Sequence, residues 1–211
     1  MGALIVVDIQ NDFLPGGALA VPRGDEVVAG ANALMPRFRR VVATQDWHPP
    51  EHKSFAANHP GRAPGELISL GGAAQVLWPV HCVAGSRGAE FAPGLAVERF
   101  DAVVRKGTDP EIDSYSGFFD NDRRRATGLA ERLHEFGERE VWVLGLATDY
   151  CVKATALDAL RLGLRTWLVV DVCRAVELQA GDGARAIAEM QAAGVTLVTS
   201  GELLAGASAG R

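Results

Sequence analysis

The sequence predicts a three-layer α/β domain: a doubly wound, mainly parallel six-stranded sheet with helices on both faces. Three observations lead there. Six short apolar runs, at residues 3–8, 40–44, 102–105, 141–146, 166–171 and 195–199, are rich in β-branched residues and lack polar alternation. That is the pattern of strands covered on both sides. Helical periodicity separates most of these runs, and strands that alternate with helices build parallel sheets. No internal repeat or linker is visible, so residues 1–211 read as a single domain with an insertion at about 46–100.

The helices follow in order. Asp25 is placed to cap a helix that carries Val28, Ala31, Leu34 and Met35 on one face, with Pro36 ending it. Thr127 is placed to cap a helix whose Leu129, Leu133 and Phe136 form one stripe closed by Gly137. Val152, Ala156, Leu157 and Leu160 give an apolar face to a helix that begins near Cys151. Asp182 is placed to cap the last predicted helix, through Ile187 and Met190 to Gly194. Two segments break the rhythm: the Pro-, Gly- and His-rich residues 46–100, and the polar, aromatic residues 107–125. Long irregular segments in a compact domain point to function.

Composition excludes several classes. A 48% apolar and 22% charged chain has the make-up of a soluble globular protein rather than a disordered one. Its net charge is −5, and the one dense basic run, Arg123 to Arg125, reads as a solvated loop, so no nucleic-acid partner is expected. No apolar run reaches the roughly 18 to 20 residues of a membrane span. The N-terminal MGALIVVD lacks the basic region of a signal peptide. Three cysteines without close spacing do not make a disulfide framework, and the reducing cytoplasm is the expected compartment.

Ligands of open parallel sheets bind outside the carboxyl ends of the strands. Reading those ends in turn gives Asp8, Asp46, Lys106 and the ATDYC turn that contains Cys151. Each alone is explained as a strand end reaching water; together they suggest a nucleophile with its helpers. A helix N-terminus and a nearby ammonium favour the thiolate, and a carboxylate can carry its proton. Cys173 reads as a core residue and Cys82 as a neighbour facing away from the site. Four of the five histidines, His48, His52, His59 and His81, lie in the insertion, while His134 reads as a surface residue. Asp46 and His48 face the same way if the chain is extended between them. With His81 they form a ligand set for a borderline divalent metal. The spacing alone leaves a chance D-x-H equally open.

These blocks, with VVDIQNDFLPGGALAVP, TQDWHPPEHKSF, WPVHC, KGTDPEIDSYSGFFDN and GLATDYCVKATALDAL in order, resemble the nicotinamidase/pyrazinamidase branch of the isochorismatase-like cysteine hydrolases. The resemblance implies a catalytic triad of Asp8, Lys106 and Cys151, and metal ligands Asp46, His48 and His81. It also implies a cis peptide bond between Leu146 and Ala147, with the Ala147 and Cys151 amides as the oxyanion hole. Phe13 and Trp78 would wall a pyridine ring, with Tyr115 nearby; His52 is not assigned to the metal shell, and whether it or another residue joins it is left open. The expected activity is metal-dependent hydrolysis of nicotinamide, and of pyrazinamide, through a cysteine thioester, in NAD salvage. The cofactor would be one divalent ion, zinc first, with manganese or iron as alternatives. A sister hydrolase of another amide, a non-catalytic metal-binding scaffold and a cysteine-independent metallohydrolase are the competing readings. Oligomeric state is left open, a homo-oligomer among the options.

Overall fold

Six strands form the predicted sheet, and all of them run parallel. The computed structural model describes residues 1–70 and 72–206. In chain order the strands are β1 (Ala3–Val7), β2 (Arg40–Asp46), β3 (Leu67–Leu70), β4 (Ala73–Val76), β5 (Ala102–Lys106), β6 (Glu140–Leu146), β7 (Arg165–Arg174) and β8 (Thr196–Val198). The main sheet has the order β5-β2-β1-β6-β7-β8, and β3 and β4 form a separate antiparallel hairpin. Strand β1 is buried along its whole length, as its unbroken apolar run predicts.

The helices are α1 (Glu26–Leu34), α2 (Leu129–Glu135), α3 (Lys153–Arg161), α4 (Asp182–Ala193) and α5 (Ser200–Ala205). The chain winds outward from β1 through β2 to β5, then returns to β6 and winds the other way. Right-handed crossovers in opposite directions put the connecting helices α1 and α3 on opposite faces. Helix α1 packs with β7 and α5, while α3 packs with β7 and α4. The reversal of order falls between β1 and β6, where a doubly wound sheet opens its crevice.

Details of the helix ends differ from expectation. Asp25 is itself helical and makes no side-chain cap, and Val27, rather than Val28, joins Ala31 and Leu34 on the buried face. Gly128 and Gly181 take the left-handed conformation at the two positions assigned to Thr127 and Asp182 as caps. The Thr127 hydroxyl still accepts the Leu129 N–H at 3.2 Å. The cysteine lies in a single π-helical turn, Thr148–Val152, ahead of α3 rather than in its first α-turn. Helix α5, which the sequence reading lacks, is set by a capping box between Thr199 and Glu202. Among the described residues no helix is long and apolar enough to cross a membrane.

Between β2 and β5 the chain holds the hairpin and three short 3-10 turns, Ala56–Asn58, Arg87–Ala89 and Val97–Arg99. Isolated bridges tie this segment down: His48 pairs with Val83 and Phe55 with Trp78. The first bridge brings the His81 end of the insertion back to its His48 end.

Candidate active site

Strand β1 ends against Asp8, whose φ of +46° turns the chain away from the sheet. The carboxylate is fully buried and accepts the Thr44 hydroxyl at 2.6 Å on Oδ1. Its Oδ2 lies 2.8 Å from Lys106 Nζ, a close ion pair without hydrogen-bond alignment. Lys106 reaches this point because β5 pairs with β2 in register, Asp46 opposite Lys106. The ammonium also donates to Asp46 Oδ1 at 2.5 Å, to the Ser114 carbonyl at 2.9 Å and to Cys151 Sγ at 3.4 Å. Ligand atoms of Asp8, Asp46 and Cys151 all lie within 4.8 Å of one another. One buried cation therefore sits among two carboxylates and a thiol.

Cys151 projects from a turn with unusual backbone. The Leu146–Ala147 peptide is cis, as the resemblance implies. The Ala147 carbonyl then accepts the N–H groups of both Tyr150 and Val152 at 3.1 Å. Single π-turns of this kind recur at functional sites. Just upstream, Gly145 has φ +121°, and a Cβ there would lie 2.2 Å from the Val7 carbonyl oxygen. Only glycine lets β6 pass this close to β1, and so brings Cys151 beside Asp8.

Burial dominates the electrostatics. It pushes the Cys151 thiol well above its ordinary pKa, although Lys106 pulls the other way. The ammonium favours the thiolate, as expected from the sequence, but the desolvation penalty on the anion is larger, so a nearby proton acceptor matters. Burial also raises Asp8, to about 6, against the downward pull of Lys106. For Lys106 burial would lower the pKa, but Asp46 and Asp8 hold it well above the usual lysine value.

Asp46, His48 and His81 converge beside this cluster, each offering one ligand atom within 4.8 Å of the others. Asp46 Oδ2 lies 3.5 Å from His48 Nε2 and 3.9 Å from His81 Nε2. His48 Nδ1 donates to the Gly107 carbonyl and His81 Nδ1 to the Pro79 carbonyl, both at 2.8 Å. A carbonyl can only accept, so each neutral ring carries its proton on Nδ1 and turns the Nε2 lone pair inward. His48 Nε2 is buried without a hydrogen-bond partner among the described residues. That orphaned atom, beside a carboxylate and a second imidazole, fits a metal. Gly107, at φ +63°, makes room: a Cβ there would lie 2.3 Å from the His48 ring. Burial lowers His81 to about 4, keeping it neutral. Burial, the largest cause, would lower His48, but the charge and hydrogen bond of Asp46 together with Asp113 and the Gly107 carbonyl outweigh it and raise the net value, so positive charge is favoured here. Burial would raise Asp46, and Lys106 and His48 hold it well below the carboxylate range.

His52 packs at a tilt against His48 with ring centroids 4.3 Å apart, and both its nitrogens have partners. Nδ1 accepts the Ser54 N–H at 3.2 Å and meets the Ser54 hydroxyl at 2.7 Å, while Nε2 faces the Ile112 carbonyl at 3.3 Å. With His48 and Asp113 it also makes a second set of candidate ligand atoms within 4.8 Å of one another, and the contacts to Ser54 and Ile112 would have to give before it could join a metal.

A pocket opens over Cys151, walled by Phe13, Trp78, Tyr115 and Tyr150 and reaching Asp46, His81 and Ala147. Trp78 and Tyr150 meet edge to face at 4.8 Å, and Phe13 lies 5.6 Å from the His81 ring. The Tyr115 hydroxyl accepts from Trp78 Nε1 at 3.1 Å and Gln75 Nε2 at 3.0 Å, which fixes both rings. Of the residues assigned to the site from the sequence, Phe13, Asp46, Trp78, His81, Tyr115, Ala147 and Cys151 line this slot, and Asp8, Lys106 and His48 lie buried behind it.

A family model, the Isochorismatase domain, matches residues 2–202. The chain belongs to the isochorismatase family. Within it, the chain is 50% identical over 201 residues to the nicotinamidase of Escherichia coli strain K12, covering 93% of this chain and 94% of that one. It is similar in structure to the nicotinamidase/pyrazinamidase of Acinetobacter baumanii, at TM-score 0.93 and 46% identity, covering 96% and 97% of the two chains. The pyrazinamidase of Pyrococcus horikoshii, solved in complex with zinc, superposes at TM-score 0.77 with 39% identity, covering 94% of this chain and 98% of that one.

The sequence reading of this isochorismatase-family site omits Thr44, Ser114, Asp113 and Tyr150. Thr44 and Ser114 touch the Asp8–Lys106 cluster, and Asp113 and Tyr150 line the pocket. Tyr150 has a signal, since it directly precedes the cysteine. Ser114 has none, because it acts through its backbone carbonyl, which every residue carries.

Proposed function

We propose that this protein hydrolyses nicotinamide to nicotinate and ammonia, with Cys151 as nucleophile, Asp8 as proton carrier and Lys106 as fixed positive charge. The observation that carries this reading is Lys106 Nζ, 2.8 Å from Asp8 and 3.4 Å from Cys151, below an aromatic slot bordered by Asp46 and His81.

The steps follow from the residues. Because burial keeps the thiol protonated, Cys151 loses its proton to Asp8 as Sγ bonds to the carboxamide carbon. The carbonyl π pair moves to oxygen, where the Ala147 and Cys151 amides serve as oxyanion donors. The C–N bond then breaks, and Asp8 returns the proton to the departing ammonia. Water adds to the thioester while Asp8 takes its proton. The C–S bond breaks, nicotinate leaves, and the thiol is restored. Lys106, held by Asp8, Asp46 and the Ser114 carbonyl, offsets negative charge in each step and is too fully engaged to be the nucleophile.

Asp46, His48 and His81 would hold one divalent ion, zinc first, with manganese or iron also suited to one oxygen and two imidazole ligands. When bound it supplies a Lewis-acid contact for the pyridine nitrogen and draws electron density from the ring. Phe13, Trp78 and Tyr115 clamp the ring faces and keep water from the reacting carbon. Pyrazinamide, with a ring nitrogen in the same position, is a second expected substrate. All three cysteines are free, in keeping with a reducing cytoplasm, and the product would enter NAD salvage.

An ammonia-release assay across nicotinamide, pyrazinamide, benzamide and aliphatic carbamoyl compounds tests the assignment. Nicotinamide and pyrazinamide are expected to be turned over, and benzamide, without a ring nitrogen, hardly at all. Preference for a carbamoyl or ureido compound would replace this reading with that of a sister hydrolase.

A further inference from the structure

Asp46 lies at the last position of β2, and β1 has already turned away at Asp8. Ladder pairs between β1 and β2 run from Ala3 with Arg40 to Val6 with Ala43, so no β1 backbone stands beside Asp46. The Gln10 side chain fills that place. Its Oε1 accepts the Asp46 N–H at 2.8 Å, and its Nε2 donates to the Asp46 carbonyl at 2.8 Å and the Ala89 carbonyl at 2.9 Å. One N–H and two carbonyls allow only one orientation of the amide. Gln10 is fully buried and does not itself line the pocket over Cys151.

On the other edge, the neighbouring Trp47 N–H bonds the Lys106 carbonyl at 3.0 Å. The backbone of Asp46 is thus gripped from β5 on one side and from Gln10 on the other. Its side chain divides its oxygens: Oδ1 goes to Lys106, and Oδ2 faces His48 and His81. A small rotation of this backbone would move both oxygens together.

We infer that Gln10 is a positioning residue for the metal-ligand carboxylate, its side-chain amide standing in for the missing strand and fixing Asp46 toward His48 and His81. The inference rests on the metal reading given above. Partners that orient a ligand are worth roughly ten- to a hundredfold in metal affinity.

The test compares wild type with Gln10→Leu, Gln10→Glu and Gln45→Ala. Gln45 is an internal control: it is buried and donates to the same Ala89 carbonyl at 2.9 Å, but does not bond Asp46. Zinc affinity is measured by competition with a chromophoric chelator, and the visible spectrum is recorded after cobalt(II) loading. Thermal unfolding of the metal-free proteins reports the structural cost. Expected for both Gln10 variants are a zinc affinity lowered about ten- to a hundredfold and an altered cobalt spectrum. Gln45→Ala is expected to lose stability while keeping affinity and spectrum. Gln10→Glu retains the acceptor for the Asp46 N–H but has no proton for either carbonyl, so it stays informative if Gln10→Leu fails to fold. Wild-type affinity and spectrum in a folded Gln10 variant would overturn the inference and leave the metal reading intact. Wild-type protein that binds neither zinc nor cobalt would overturn the metal reading and the inference with it.

Discussion

The rim of the parallel sheet and the insertion between β2 and β5 hold their functional groups by different means. On the rim, Asp8, Lys106 and Cys151 stand at or just beyond strand ends, and sheet register brings them together. In the insertion, His48 and His81 lie outside regular strands, and each ring is aimed by a bond from Nδ1 to a backbone carbonyl. The rim depends on a buried ion cluster for its geometry, whereas the insertion depends on scattered bridges and single hydrogen bonds. Substitutions on the rim should therefore strike chemistry or stability, while those in the insertion should strike metal and substrate binding first.

The largest effect expected is from Cys151→Ala. Ammonia release should fall by at least about a thousandfold, while nicotinate binding and metal content persist. Substantial residual turnover would remove the thiol from its role and leave the rim with no chemistry of its own. In the insertion, His48→Ala should lower metal affinity by more than the roughly ten- to hundredfold typical of outer partners, and should raise KM. Unchanged metal content on elemental analysis would erase the distinction between the regions. Chelation followed by zinc add-back should switch activity off and on with the rim intact; full rate in thoroughly demetallated protein would refute the positioning role of the metal.

Lys106→Met tests the rim through stability. Removing the one cation leaves Asp8 and Asp46 buried together, which should cost about 3–5 kcal/mol in urea denaturation. A loss below about 1 kcal/mol would mean that the cluster is not the scaffold of the rim. The smallest effect is assigned to Thr44→Val, which removes the 2.6 Å bond to Asp8 with little change of shape. It should destabilise by about 1–2 kcal/mol and lower kcat with KM nearly unchanged. A change confined to KM would move Thr44 from the catalytic cluster to substrate binding.

The strands were legible in the sequence because burial on both faces leaves an uninterrupted apolar run, as in β1 and β6. The candidate site was legible where chemistry needs a particular side chain: Asp8, Lys106, Cys151, Asp46, His48 and His81. The helix caps were less so. Asp25 has the right residue type but no side-chain cap, because the turn before α1 is already helical. Gln10 and Ser114 stayed hidden for a different reason. Their partners are backbone atoms, or the contact is made by a backbone atom, and neither leaves a mark in residue identity.

By itself the sequence determined the strand-helix alternation, the residues that end each strand and the ligand types carried by the insertion. These follow from local periodicity and from side-chain chemistry. Only the tertiary structure decided that Lys106 is shared between Asp8 and Asp46, and that His52 spends both nitrogens on its neighbours. It also decided that burial opposes the Cys151 thiolate more strongly than Lys106 favours it. Charge on a buried group depends on how much water the assembled fold removes and on which charges it leaves nearby. That balance belongs to the packed neighbourhood, so no residue shows it before the chain has folded.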